Sequence, residues 1–534
     1  MSAFETAALR LRQIADVDPK ALGHGSRVGI EKECLRVVAD GHIARTPHPA
    51  ALGSALTHPY ITTDFSEALL EFITPPFTDK RETLRFLRHI HQFVYANIGE
   101  ELLWATSMPC VVSGDESVPI AEYGSSNVGT MKHVYRRGLS HRYGRVMQAI
   151  SGVHFNYSVP KALWRIHHDQ VKADEPLDAF ISERYFGLIR NFQRFGWMVP
   201  YLFGSSPAVC KSFMRGRKVE GFEELDRGTW FRPYATSLRM SDIGYKNKNQ
   251  AGLRIVYDGL DTYVKSLSRA IQTPFPDYET IGVKKGGEWL QLNTNILQIE
   301  NEYYSFIRPK RVARSGERPT LALKRRGVQY VEVRALDVSA FDAIGVNEDQ
   351  VRFLEAFVLL CLLEKSPPIG ADEQCDIDYN QEIVASRGRE PGLELRRPEG
   401  SATLTTCALE ILDAMVGICE LLDIGHAARP YSASLERQRA AVEDPERLPS
   451  ARILSSMAEA GEVFFELAMR LTREHRDTLL AEPLPAKVEA RFREEAALSL
   501  AQQKEIEAAD SISFEEYLER YFHQSAVPRE QLLA

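Results

Sequence analysis

The pattern of hydrophobic and polar residues changes near residue 345. Before that point, short segments alternate between apolar and polar residues or are rich in β-branched residues, with Gly, Pro or Asp at their ends. Such segments are typical of strands, which are predicted at 28–37, 69–73, 152–158, 289–299 and 329–336. Apolar residues at helical spacing predict helices at 81–97, 349–363, 406–422 and 450–480. We therefore expect an α+β fold with a helix-rich C-terminal part.

The connections in the second part of the chain are short. Loops rich in Pro, Gly and charged residues are predicted at 365–373, 386–401 and 481–486, and no long flexible linker separates them from the first part. We expect a catalytic sheet-and-helix core over 1–344 and a mostly helical part over 345–534 that packs on it as one structural unit.

Composition and charge exclude several classes of protein. The 534 residues are 44% hydrophobic and 26% charged, which argues against disordered, collagen-like and coiled-coil chains. A formal net charge of -8 gives no overall attraction to nucleic acid. The longest apolar run, 356–363, is much shorter than the roughly 20 residues of a membrane helix, so no membrane association is expected. The seven scattered Cys do not indicate a disulfide scaffold, and the predicted location is the cytoplasm.

The common short catalytic motifs are missing from the sequence. There is no glycine loop ending in Lys-Ser or Lys-Thr, no Cys-x-x-Cys pair, no His-Glu-x-x-His helix and no Gly-x-Ser-x-Gly turn. A P-loop, a zinc site and a serine nucleophile are therefore not indicated.

Three predicted strands each carry polar residues two positions apart. Because successive side chains of a strand point to opposite faces, each pair shares a face and its apolar neighbours lie on the other. The pairs are Glu31 and Glu33, His154 and Asn156, and Glu332 and Arg334. One interpretation is a half-solvated antiparallel sheet with a polar outer face.

The residue types favour a second interpretation, a site for divalent cations. The polar residues are chiefly carboxylates with one His and one Arg, and Asp64 and Glu71 add acids within an apolar stretch. Carboxylates that converge repel one another unless cations lie between them, and oxygen ligands with one imidazole suit Mg²⁺ or Mn²⁺. Such ions bridge phosphate oxygens, and Arg239 and Arg334 have the geometry to bind a carboxylate or a phosphate.

Longer stretches of the sequence resemble the proteobacterial type of glutamate–cysteine ligase. In the first half they are GIEKECLR (29–36), HPAALGSALTH (48–58), ITTDFSEALLEFITP (61–75), SMPC (107–110), YGSSN (123–127), YRRGL (135–139) and ISGVHFNYS (150–158). In the second half they are FGSSP (203–207), SLRMS (237–241), NEYY (301–304) and VEVRALD (331–337). The match is dense to about residue 340 and looser beyond it. Some family members have a cysteine pair near the position of Cys375, but 392–401 offers no partner here.

The resemblance implies a fold and a reaction. The fold is related to glutamine synthetase, with a curved, largely antiparallel sheet forming a funnel surrounded by helices. The reaction is the ATP-dependent ligation of the L-glutamate γ-carboxylate to the L-cysteine amine through γ-glutamyl phosphate, the first step of glutathione synthesis. The implied cofactor is Mg²⁺, with Mn²⁺ as an alternative, and ATP is a co-substrate. Glutathione is expected as a feedback inhibitor, and the protein is expected to be a monomer.

The resemblance also implies roles for single residues. The metal ligands are expected to be Glu31, Glu33, Asp64, Glu71, His154 and Glu332. The residues expected at the glutamate and the transferred phosphoryl group are Arg239 and Arg334, with Glu332 beside them. The substrate pocket, chiefly for cysteine, is expected to contain Phe65, Tyr135, Leu139, Gln148, Asn156, Tyr245 and Tyr304.

Two other functions remain open at this point. A related carboxylate–amine ligase would keep the metals and the funnel but use another acceptor amine, and it predicts changes in the pocket of Phe65, Tyr135 and Tyr245. A regulatory protein that binds nucleotide or thiol without catalysis predicts damage to the acidic residues, yet all six expected ligands are present.

Overall fold

The computed structural model describes residues 4–214, 220–226, 228–244, 253–314 and 316–524. Its strands are β1 Arg27–Val37, β2 Ile61–Thr63, β3 Leu69–Ile73, β4 Leu102–Leu103, β5 Gly152–Ser158, β6 Ala208–Cys210, β7 Glu223–Asp226, β8 Thr229–Phe231, β9 Lys284–Lys285, β10 Glu288–Trp289, β11 Ile307–Lys310, β12 Tyr330–Asp337, β13 Glu394–Leu395 and β14 Ala402–Thr403. Its helices up to the sheet's last strand are α1 Glu5–Val17, α2 Lys80–Tyr95, α3 Asn127–Tyr143, α4 Lys161–Gln170, α5 Leu177–Phe195, α6 Met198–Phe203, α7 Leu260–Gln272, α8 Pro276–Ile281 and α9 Pro319–Arg326. The later helices are α10 Glu348–Leu363, α11 Ala371–Arg387, α12 Leu404–Leu422, α13 Pro430–Glu443, α14 Pro449–Ala460, α15 Phe464–Leu480, α16 Ala486–Ala509 and α17 Phe514–His523.

The strands with paired polar residues form the middle of one antiparallel sheet. Its order is β11-β12-β5-β1-β3-β2, and β4 extends it by pairing with the end of β1. Four of the predicted strands match β1, β3, β5 and β12 to within one residue at each end. The expected α+β fold with an antiparallel sheet is confirmed.

The two faces of the sheet separate apolar from charged residues, as the alternation predicts. Val153, Phe155 and Val333 are fully buried on one face, against which α5, α6 and α10 pack. On the other face, Glu332 and His154 are also almost fully buried, with 0% and 3% exposure. The interpretation of a half-solvated polar face is therefore wrong. Charged groups that are buried to this extent need partners, so this face is the candidate binding site.

Two predicted elements are wrong. The strand predicted at 289–299 is only the two-residue β10, because amide side chains beyond it bond to nearby backbone groups instead of a neighbouring strand: Asn293 donates to the carbonyl of Gln298 over 3.0 Å, and Gln298 accepts from the amide of Leu292 over 3.0 Å. The helix predicted at 450–480 is two helices, α14 and α15. They are separated at Gly461, whose φ of 64° ends the first one.

The helices beyond residue 345 pack on the first part of the chain. Helix α1 contacts α10 and α12, and one buried cluster contains residues from Phe4 to Phe492. From these contacts we propose that the chain is one structural unit. The predicted boundary between the two parts at residue 344 stays a prediction. Within the described residues, no helix combines the length and the apolarity needed to cross a membrane.

A disulfide that the sequence did not predict joins Cys110 to Cys210, with their Cα atoms 5.3 Å apart. The two Cys lie 100 positions apart in the sequence, so spacing gave no signal. It connects the segment after β4 to the small sheet β6-β8-β7. Cys375, for which the sequence left a disulfide in doubt, is free and exposed.

Candidate active site

Strand register brings the charged residues of four strands together. Glu31 of β1 lies opposite His154 of β5, and Glu33 of β1 lies opposite Glu71 of β3. Glu332 of β12 lies opposite Asn156, the next inward residue of β5. Residues far apart in the sequence thus become neighbours on one face because antiparallel strand pairing brings them opposite one another.

His154 lies at the centre of the acidic residues. Its Nδ1 is 3.2 Å from Glu31 Oε2 and 3.9 Å from Glu332 Oε1, and its Nε2 is 3.7 Å from Glu33 Oε1. Ligand atoms of Glu31, Glu71 and His154 all lie within 4.8 Å of one another. This spacing is suited to one cation held by two carboxylates and an imidazole.

Asp64 reaches the same region from the turn between β2 and β3. Its backbone carbonyl accepts hydrogen bonds from the hydroxyl of Tyr123, over 3.1 Å, and from Arg136. Its carboxylate borders the same cavity as Glu33. The turn is thus fixed through its main chain, which leaves the carboxylate available to the site.

Two of the acids have pKa values above the ordinary range. Burial and the carboxylate of Asp64 raise the pKa of Glu33 to about 8. Burial and the charge of Glu31 raise the pKa of Glu71 well above its ordinary value. These shifts favour the protonated forms of Glu33 and Glu71 when no metal ion is bound.

Two buried ligand atoms also lack a hydrogen-bond partner among the described residues. They are Nε2 of His154 and Oε2 of Glu332. A buried polar atom without a partner is destabilising. A bound divalent cation would offer a partner to both atoms and offset the negative charge of the carboxylates. The residues therefore fit a site for Mg²⁺ or Mn²⁺.

Cations line one side of the acidic cluster. Arg334 Nη1 is 3.4 Å from Glu332 Oε2, and Lys310 Nζ donates to Glu332 Oε1 over 3.1 Å. Burial alone would raise the pKa of Glu332, but Lys310 and Arg334 hold it well below its ordinary value. The register between β12 and β5 shifts between Val333 and Leu336, a bulge that contains Arg334. Bulges re-aim side chains next to active sites.

Arg239 approaches from a different element, the 3₁₀ helix Leu238–Met240. It is 1% exposed, and its Nη2 donates to the carbonyl of Arg334 over 3.0 Å. Its Nη1 is 3.9 Å from Asp337 Oδ1. The two predicted arginines are therefore neighbours, although they are 95 residues apart in the sequence.

A cavity of about 120 Å³ adjoins the acids. Residues predicted for the site that line it are Glu33, Asp64, Phe65, Tyr135, Leu139, Gln148, Tyr304 and Arg334. Asn156 lies elsewhere, with its Nδ2 donating to Glu31 Oε1 over 2.9 Å, and it belongs to the acidic cluster. Tyr245 falls outside the described residues.

Sequence reasoning missed several residues of this region. The cavity is also lined by Arg136, Tyr143, Met147, Asn301, Glu302 and Arg308. A signal was present for Arg308 and Lys310, which are two apart on β11 and share a face by strand alternation. The sequence pattern did not predict their strand because it has only four residues and contains Pro309.

Comparisons with known proteins place the whole chain in one family. The sequence profile of the glutamate-cysteine ligase family matches residues 11–384. The glutamate–cysteine ligase of Alcanivorax borkumensis is 49% identical over 522 residues, covering 96% of this chain and 99% of that protein. The one from Azotobacter vinelandii is 51% identical over 496 residues, covering 92% and 93%.

A solved structure gives the same result for the fold. The glutamate–cysteine ligase of Francisella tularensis, crystallised in complex with AMP, superposes with a TM-score of 0.89 and 38% identity. The match covers 94% of this chain and 98% of that one. By sequence profile, by full-length relatives and by fold, the chain belongs to the glutamate–cysteine ligase family.

Proposed function

We propose that this protein joins the γ-carboxylate of L-glutamate to the amino group of L-cysteine at the expense of ATP, giving γ-glutamylcysteine, ADP and phosphate. The observation that carries the proposal is one continuous site in which buried acids, a pair of arginines and a small cavity adjoin, in a chain that belongs to the glutamate–cysteine ligase family. This reaction is the first step of glutathione synthesis.

The reaction requires an activated carboxylate, because a free carboxylate is a poor electrophile. A γ-carboxylate oxygen of glutamate attacks the γ-phosphoryl group of ATP, and ADP leaves. The cysteine amine then attacks the acyl phosphate, an amide bond forms and phosphate is released. Both steps develop negative charge on phosphoryl oxygens, which calls for fixed cations next to them.

The chain supplies groups for each part of that chemistry. We assign the transferred phosphoryl group and the glutamate to Arg334 at the bulge and to Arg239, which bonds to its carbonyl. Mg²⁺ or Mn²⁺ held by Glu31, Glu33, Asp64, Glu71, His154 and Glu332 would supply further positive charge beside the phosphate oxygens. No cysteine of the enzyme is needed as a nucleophile.

The acceptor amine is proposed to bind in the cavity next to the acids. Phe65, Leu139 and Tyr135 give it apolar walls, and Gln148 and Tyr304 add polar groups. A volume of about 120 Å³ suits a short side chain such as a thiomethyl group rather than a long one. The choice of cysteine as the acceptor rests on the family of the chain, and a cavity of this size fits a short side chain.

Further properties are part of the same proposal. We expect Mg²⁺ as the working metal, glutathione as a feedback inhibitor, a monomer and a cytoplasmic location. Five of the six expected metal ligands form one cluster around His154, and Asp64 lines the adjoining cavity together with Glu33. This arrangement argues against a regulatory protein without catalysis.

The reaction is tested by ADP release from the purified protein with ATP, Mg²⁺ and glutamate, with and without cysteine, together with mass detection of the product. We expect ADP release to depend on cysteine and to match γ-glutamylcysteine formation one to one. A preference for another amine would instead indicate a related carboxylate–amine ligase, and no turnover with any amine would contradict the proposal.

Metal binding is expected to displace protons from the acidic cluster. With a pKa of about 8, Glu33 is largely protonated at pH 7 without metal, and the raised pKa of Glu71 shifts that carboxyl towards its protonated form as well. Mg²⁺ should therefore release about one proton or more at pH 7, and its apparent affinity should rise as the pH rises through 8. Calorimetry in buffers of different ionisation enthalpy measures the released protons. An affinity that does not change between pH 6 and 8.5 would contradict this assignment of the metal site.

A further inference from the structure

The C-terminal tail, residues 486–523, contains α16 and α17 and adjoins helix α3, which carries four residues of the acceptor cavity. These residues are Tyr135, Arg136, Leu139 and Tyr143. Helix α17 contacts α3 directly, and the end of α16 bonds to the turn before α3. No described residue of the tail lines the cavity, and α3 lies in contact with both the cavity and the tail.

The first turn of α3 is held by carboxylates from the tail. Ser126 is its N-cap and accepts from the amide of Gly129 over 3.2 Å. The amide of Ser125 donates to Glu507 Oε1 over 2.9 Å, and the amide of Asn127 donates to the carboxylate of Asp510. Anions at a helix N-terminus satisfy its free amides and interact favourably with its dipole.

A reciprocal bond and a close approach fix the same junction. Asn127 Nδ2 donates to the carbonyl of Ile512 over 3.0 Å. At Gly124, with a φ of 79°, an added Cβ would collide with side chains of Gln503 and Glu507. The positive φ favours glycine at this position, where the side chains of Gln503 and Glu507 occupy the space of a Cβ.

An apolar contact holds α3 against the tail beyond its first turn. Met131 and Val134 of α3 form a small buried cluster with Leu518 of α17, and the tail's aromatic residues pack around it. Tyr135, the next residue along, packs against the same cluster while also lining the acceptor cavity. One side of α3 thus contacts the tail and the other side contacts the substrate site.

We propose that Glu507 and Asp510 are positioning residues for the acceptor amine: through the first turn of α3 they set the placement of Tyr135 and Leu139 in the cavity. This inference deepens the proposed function and rests on it. It assigns the C-terminal tail to cysteine binding, whereas most of the expected metal ligands lie on the sheet. Within the described residues, the bonds of the two carboxylates to this junction go to backbone amides at the start of α3 and not to a strand.

The test is a double substitution, Glu507→Ala with Asp510→Ala. We expect the KM for cysteine to rise about three- to tenfold, because that change corresponds to the free energy of two anionic contacts at a helix N-terminus. The KM for ATP and the KM for glutamate should change less than twofold. Glu507→Gln with Asp510→Asn keeps the acceptor oxygens and should recover most of the affinity. Glu505→Ala removes an exposed acid of the same helix and serves as the matched control.

Hydrogen exchange over residues 127–143 gives a readout that does not depend on the reaction. The double alanine variant should exchange faster than wild type in the first turn of α3, and the control should not. Equal changes in the KM of all three substrates, or unchanged exchange in α3, would overturn the positioning role. If wild type forms no γ-glutamylcysteine, the proposed function fails, and exchange alone then decides whether the tail holds α3.

Discussion

Replacing Glu31 by Gln is expected to lower kcat by at least about a hundredfold, the loss typical of removing one group that stabilises the charge of a transition state. Glu31 shares with Glu71 and His154 the tightest cluster of ligand atoms in the described residues. Gln has the same shape and keeps one acceptor oxygen for Asn156, whose Nδ2 lies 2.9 Å from Glu31 Oε1. What is lost is the negative charge that holds a divalent cation.

The same substitution is expected to leave the fold intact. Burial and the charge of Glu332 raise the pKa of Glu31, but the hydrogen bond with His154 and the charge of Lys310 outweigh them and lower it, so the ionised carboxylate is stabilised in the metal-free fold. Removing the charge should therefore leave the melting temperature without metal at pH 7 the same or slightly lower, while the stabilisation by Mg²⁺ should shrink.

Activity assays across a range of Mg²⁺ concentrations and thermal melts with and without Mg²⁺ measure both effects. Glu494→Gln, at an exposed position of α16, is the control and should behave as wild type. Full activity of the Glu31 variant at saturating Mg²⁺ would remove Glu31 from the metal site.

The central sheet was predictable because strand alternation is a local property of the sequence. Glu31 and Glu33 share a face whatever the rest of the fold does, and the same holds for His154 and Asn156. Which strands are neighbours is a property of the whole fold, and the pattern alone does not give it. The order of the strands, not the pattern within each, brings Glu33 opposite Glu71.

The parts that sequence reasoning missed depend on tertiary contacts. The strand predicted beyond Trp289 fails because side-chain amides of Asn293 and Gln298 compete for the backbone, and Gly461 interrupts a continuous helical pattern with a positive φ. The pairing of Cys110 with Cys210 and the contact between α17 and α3 join segments far apart in the chain, which no local pattern encodes.

Arg334 is expected to act on the transferred phosphoryl group. Arg334→Gln should lower kcat by about a hundred- to a thousandfold, because a fixed positive charge beside a transferring phosphoryl group is worth that much or more. The bulge that positions it rests on backbone bonds, among them the Arg334 amide to the carbonyl of Phe306 over 2.8 Å, which the substitution keeps. The variant should therefore fold.

The comparison with Lys separates charge from geometry. Arg334→Lys keeps a positive charge but has no planar pair of donors, so it should recover only part of the lost rate. Glu332 keeps Lys310 as its partner at 3.1 Å in either variant, so the acidic cluster should still bind metal. Arg325→Gln, which removes a largely exposed arginine, is the matched control. Steady-state kinetics with each substrate varied in turn decide the role: a normal kcat with a raised KM for cysteine would assign Arg334 to the acceptor amine instead of the phosphoryl group.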